Sequence, residues 1–351
     1  MNDIKELLFK PVIEREKWHP NFQAIIDHRS QNLRDVIYNW AEGFKDRDHK
    51  FIRQFQETFN SSFWELYLFA VLKELKLPVD FQYDRPDFIV NSQSGFCIEA
   101  TTANPPQHGV PEWQKDYSEE DIKKWPINKI VDHATIRLAN SFVGKAKHWE
   151  KSYSKLPYVQ GKPFILAIAP FDSPYFYAQN LQAIDRVLYG FDKYITTNID
   201  EHNREIIDTV YIESIKKENG KSIPLGYFRT PEFSYISAVI FSNTATFSKV
   251  RALSQDSDYT LFDTLRYNDY GLEPTRTVTE KSSYIESLLD GLYVFHNPYA
   301  DIPFTVEEFY HKDIAHMGFD IVKGELTSCM PHNFLYQRMA ITLKMGSPTK
   351  K

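Results

Sequence analysis

Cysteine is scarce in this chain of 351 residues: only Cys97 and Cys329 are present. Two thiols so far apart in sequence make neither a disulfide framework nor a zinc site. Their scarcity fits a reducing compartment, so a cytoplasmic location is expected. Long apolar runs are also missing. No stretch approaches the roughly 18 uninterrupted apolar residues read as a transmembrane helix, and no membrane partner is expected. The first eighteen residues are broken by charges and by Pro11 and contain no apolar h-region, so no signal peptide is expected either. An excess of positive charge is absent: the net charge of -6 argues against a wholly basic nucleic-acid surface and leaves room only for a local basic strip.

Several chemical signatures are missing too. There is no G-x-S-x-G elbow, no P-loop and no Rossmann glycine fingerprint, which removes support for serine hydrolase, NTPase and dehydrogenase readings. His296, His311, His316 and His332 are scattered and show none of the HExxH spacing of a zinc protease. No internal repeat or low-complexity tract interrupts the chain.

What is present suits a sizeable core, since aromatic residues make up 15% of the chain, and the length allows one large domain or two ordinary ones. Residues 1–60 read as a polar helical segment with Trp18, Phe22, Ile25, Ile26, Val36, Ile37 and Trp40 on partial apolar faces. Residues 62–77 lack Gly and Pro, are rich in helix formers and are apolar nearly all round, which predicts a buried helix ended by Pro78. Two short strands, 86–90 and 96–101, flank the turn-rich loop Asn91-Ser92-Gln93-Ser94-Gly95. A proline-rich loop over 104–125, a helix over 127–153, a buried strand over 164–171, a helix over 179–189 and a buried strand over 236–242 follow. Strands alternating with helices predict an α/β fold. The composition turns acidic after about residue 254, from Asp256 and Asp258 to Asp320. The expected organisation is therefore a helical segment over 1–60, a core over 61–255, and an acidic region over 256–351 that either stands apart or completes the same core.

Asp87 and Glu99 carry the chemistry. A hairpin closed symmetrically about Gln93 pairs Val90 with Phe96, Phe88 with Ile98, and Asp87 with Glu99, so the two carboxylates share a face. Opposed carboxylates about 5 Å apart repel, and a hard divalent cation between them removes the conflict. Thr101 lies on the same face, two residues beyond Glu99. Glu65 sits among Leu68, Phe69 and Leu72 on its helix, where a charge needs a partner or a shifted pKa.

A helix with a glutamate, then a strand opening Pro-Asp, then a strand with Glu-X-Lys, is the pattern of the PD-(D/E)XK nuclease superfamily. Here Glu65, Pro86-Asp87 and Glu99-Ala100-Thr101 stand in those places, and residues 60–170 resemble its α-β-β-β-α-β core. The resemblance implies a restriction-endonuclease-like mixed sheet flanked by helices, carrying N-terminal helices and a C-terminal extension. It implies Mg²⁺ or Mn²⁺ held by Asp87 and Glu99, with Glu65 as a further ligand, and hydrolysis of nucleic acid, DNA ahead of RNA. Thr101 replaces the motif lysine, which in the family helps position the attacking water and stabilises negative charge. Threonine can orient a water but carries no charge. Some members supply the lysine from a neighbouring element, and Lys145, Lys147 and Lys73 are the candidates here. A second reading follows from Thr101: a degenerate relative that binds nucleic acid or a protein without cutting.

Between His133 and Lys162 lie Arg137, Lys145, Lys147, Lys151 and Lys155, with Glu150 the only acid, and aromatic residues interleave. Cations neutralise phosphates and aromatics stack on bases, so Arg137, Lys145, Lys147 and Lys151 are the expected nucleic-acid contacts.

Overall fold

The computed structural model describes residues 4–27, 31–93, 95–115, 117–199, 205–255, 259–271 and 273–342. Ser94, Asp256 and Asp258, singled out above, lie outside them. Helices α1 (Ile4–Leu8), α2 (Pro20–Asp27), α3 (Asn32–Ala41), α4 (Phe51–Glu57) and α5 (Asn60–Glu74) come first. Strands β1 (Val79–Asp80), β2 (Phe88–Val90) and β3 (Phe96–Ala103) precede helices α6 (Glu119–Lys123) and α7 (Ile127–Lys151). Then come β4 (Phe164–Pro170), α8 (Gln182–Tyr189), the hairpins β5 (Phe191–Ile199) with β6 (Glu205–Tyr211) and β7 (Ser214–Lys216) with β8 (Ser222–Pro224), β9 (Ala238–Phe241) and α9 (Phe247–Leu253). The chain continues through β10 (Thr260–Arg266), β11 (Thr275–Glu280), β12 (Leu292–His296), β13 (Ile314–Asp320), β14 (Glu325–Cys329) and β15 (Leu335–Thr342).

The main sheet has the order β1-β2-β3-β4-β9-β12-β13-β14, with β3, β4 and β9 parallel and β12 parallel to β13. The fold is thus mixed α/β. Every residue of β4 is buried, as expected of a central strand covered on both faces. Strand β3 shows how the faces divide. Phe96, Ile98 and Ala100 join the apolar core that includes α5, and Cys97 and Ala103 join the one that includes α7. Helix α5 is buried nearly all round, and Trp64 donates its indole N–H to the Ala167 carbonyl of β4 at 3.0 Å. It stops at Glu74, short of residue 77, because Lys76 takes a left-handed φ of 58° before Pro78. No helix among the described residues is long and apolar enough to cross a membrane.

The acidic region does not stand apart. Strands β12, β13 and β14 extend the main sheet through β9, and β10, β11 and β15 form a second, three-stranded sheet. Some of its acids are consumed internally. Asp263 pairs with Arg276 at 2.6 Å and Asp290 with Arg266 at 2.8 Å. Glu286 is fully buried between Lys249 of α9, at 2.5 Å, and Arg338 of β15. Burial opposes its ionisation, but Arg338 and Lys249 override that and hold the carboxyl down at about 2.

Removing one member of a buried ion cluster leaves uncompensated charge. Glu286→Ala is therefore expected to cost about 3–5 kcal/mol of unfolding free energy, read by urea denaturation at pH 7. A loss below 1 kcal/mol would show that the two cations find other partners.

Candidate active site

Glu99 lies mid-way along β3, beside Leu166 of β4, and is buried. Residues alternate along a strand, so Glu99 and Thr101 face α7, as Cys97 does. From α7, the Lys145 ammonium reaches Glu99 Oε1 at 2.5 Å. The hydroxyl of Tyr153, just past the helix end, also faces Glu99. Burial works to lower the Lys145 pKa, but Glu99, Asp87 and Glu65 together raise it. Thr101 is half-buried on the same strand face.

The hairpin register is as the loop symmetry predicts, with Phe88 opposite Ile98 and Val90 opposite Phe96. The ladder begins at Phe88 rather than Pro86, which has no N–H to offer it. Asp87 leaves the ladder for a different bonding scheme. Its Oδ2 accepts the Ala100 N–H at 2.7 Å, and its carbonyl accepts from Arg47 at 2.7 Å. Arg47 also holds the Tyr83 carbonyl at 2.7 Å. Burial first and Glu99 second push the Asp87 carboxyl up to about 7. Glu65 on α5 is likewise pushed well above the carboxylate range, by burial and then by Asp87. Glu65, Asp87, Glu99 and Lys145 therefore act on one another electrostatically.

The other proposed cations separate. Residues 145 and 147 are about 200° apart on a helix, so Lys147 points to solvent, as Lys151 does. Arg137 is half-buried and donates to the Asn104 carbonyl at 2.7 Å, which fastens the loop after β3 instead of leaving the guanidinium for phosphate. Lys73 bonds the Asn39 carbonyl and lies 3.8 Å from Glu42, so it is no substitute lysine. Of the expected nucleic-acid contacts, Arg137 and Lys145 are thus half-buried and engaged within the fold, and Lys147 and Lys151 are exposed.

The residue types at the site suit a hard cation in part. Glu99 keeps Oε2 buried without a hydrogen-bond partner, Asp87 raises the proton affinity of Glu65, and Glu99 raises that of Asp87. Among the described residues, however, no three His, Cys, Asp or Glu side chains are gathered as a ready ligand set, and an ion would have to share Glu99 with Lys145.

Arg47 and Tyr153 take part without a sequence signal that singles them out. Three turns before Lys145 on α7, away from the carboxylates, His133 Nδ1 pairs with the buried Asp172 Oδ2 at 3.0 Å. His133, Arg137, Ser141 and Lys145 recur every four residues, and this spacing is the sign in the sequence that one face of α7 follows β3.

The raised Asp87 pKa sets a pH dependence in metal-free buffer. The folded state binds this proton more tightly than the unfolded chain, whose carboxyl titrates near 3.8. The resulting stabilisation is complete below that pH and lost as the pH rises through about 7. Asp87→Asn keeps an acceptor for Ala100 and removes the repulsion. It is expected to raise unfolding free energy by about 1–3 kcal/mol at pH 8 and to have little effect at pH 4, by urea titration with chelator. Equal effects at both pH values would refute the assignment.

Comparison with protein-family models, with curated proteins and with solved structures finds no match to this chain.

Proposed function

We propose that the chain is a divalent-metal-dependent nuclease of restriction-endonuclease-like architecture, hydrolysing phosphodiester bonds of nucleic acid, with DNA favoured over RNA. The carrying observation is the Lys145 ammonium at 2.5 Å from Glu99, beside Asp87 and Glu65. Thr101 occupies the position of the motif lysine, and α7 brings a lysine to the same strand face. The succession α5, β1, β2, β3, α7, β4 supports the reading, because, with the short α6 inserted before α7, it follows the α-β-β-β-α-β order of that superfamily.

In the proposed reaction a water oxygen forms a bond to phosphorus and the bond to the leaving strand's oxygen breaks. Lys145 offsets negative charge that develops on the phosphoryl oxygens, and Glu99 holds its ammonium in place. The attacking water gives its proton to bulk solvent and the departing oxygen takes one from it, because Asp87 and Glu65 would be engaged by the metal and their raised proton affinity belongs to the metal-free protein. Asp87 and Glu99, with Glu65, would hold Mg²⁺ or Mn²⁺, which supplies Lewis acidity and an acidified water when bound.

A second reading, a degenerate relative that binds nucleic acid or protein, is favoured by Thr101, which puts an uncharged side chain where the motif has its lysine. The two are separated by incubating the protein with labelled DNA and RNA, single- and double-stranded, in Mg²⁺, Mn²⁺ or chelator. Cation-dependent cleavage is expected, with Asp87→Asn inactive and Lys145→Ala slower by roughly 10²-fold. Thr101→Lys in the Lys145→Ala background is expected to recover part of the rate. Binding without cleavage under every cation would leave the second reading standing.

A further inference from the structure

A cavity lies away from the carboxylates, past the carboxyl ends of the three parallel strands. The loop after β3 supplies Trp113 and Lys115, the segment after β4 supplies Tyr177, and the one after β9 supplies Phe247. Asn60, at the start of α5, and Arg338 of β15 are among the other residues that line it. In open sheets with parallel strands this end is where ligands bind. The cavity volume, about 310 Å³, is at the small end of the range for small-molecule sites.

The walls are built rather than incidental. Glu112, buried, accepts from buried His19 at 3.1 Å and from Asn60, and the edge-on ring of Trp113 packs 4.5 Å from His19. This network fixes the loop carrying Lys115. The Lys115 ammonium stands 4.5 Å from the Tyr177 ring centre and spends one donor on the Pro174 carbonyl at 3.1 Å. An ammonium has three donors. Burial, opposed by Glu112, brings its pKa down to about 8, a cost that an anion nearby would relieve. Arg338, buried and already engaged with Glu286, keeps its Nε without a hydrogen-bond partner.

We propose that this cavity binds a mononucleotide, with its base against the rings of Trp113, Tyr177 and Phe247 and its phosphate on Lys115. Flat aromatic faces accept any base, a lysine takes phosphate as a point charge, and the volume admits one unit but not a run of them. The nucleotide is either free in solution or turned out of a strand. The proposal stands on the cavity alone and is independent of the nuclease reading.

Calorimetric titration of the full chain in the Asp87→Asn background, with chelator present, keeps the two apart. The probes are AMP, GMP, CMP and UMP, the matching nucleosides, inorganic phosphate, and a short duplex with one unpaired nucleotide. At least one monophosphate is expected to bind, with its nucleoside and phosphate each weaker by roughly tenfold or more. Lys115→Met should remove that advantage over the nucleoside, and Tyr177→Leu should weaken nucleotide and nucleoside alike, both variants melting as the parent does. Competition by the duplex assigns the ligand to a strand, and its absence assigns a free nucleotide. No monophosphate or duplex binding at millimolar concentration, or binding unchanged in both variants, would overturn the proposal.

Discussion

A carboxylate in the middle of a buried strand is the constraint on which the rest of this structure depends. A buried charge is tolerated only when it is paired, and Glu99 obtains its pair from a helix that is remote in sequence. That pairing fixes how α7 lies. One turn earlier, Ser141 donates to the Thr102 carbonyl at 3.2 Å, and a turn before that Arg137 holds Asn104. Three side chains four residues apart thus fasten the helix along β3 and the loop that follows it. The electrostatic demand of one glutamate and the helical repeat together set the geometry of the proposed active site.

The same strand links the two proposed sites. Glu99 stands at its middle, and the loop leaving its end carries Trp113 and Lys115. Helix α5 joins them a second time, with Asn60 at the cavity and Glu65, about 7–8 Å further along the helix axis, at the carboxylates. Helix α5, which carries both residues, is packed on nearly every side.

Much of the site is legible in the sequence because it depends on local periodicity. The five-residue loop and the alternation around it give the register of Phe88 with Ile98, and the apolar run from 164 marks the central strand. What is not legible depends on long-range choices. Nothing in the spacing of Lys145, Lys147 and Lys151 says which lysine turns inward until α7 is docked on β3. Arg47 acts through backbone carbonyls some forty residues away, and a backbone acceptor leaves no trace in residue type. The acidic stretch reads as surface because composition does not disclose that Glu286 is enclosed by Lys249 and Arg338. Strands β7 and β11 are largely exposed, and β10 alternates in burial but places threonines at 260 and 264 among its buried positions, so no apolar alternation announces it.

Arg47 has a consequence for how the chain divides. It lies between α3 and α4, in the helical segment that precedes the α/β core, yet its guanidinium holds the carbonyls of Tyr83 and Asp87. The conformation that aims Asp87 at Ala100 is therefore held from outside the strands that carry it. A chain cut at residue 61 would retain every carboxylate and the lysine, but it would lose the brace that shapes the approach to β2. In this sense the leading helices are part of the architecture of the proposed site and not an appendage to it.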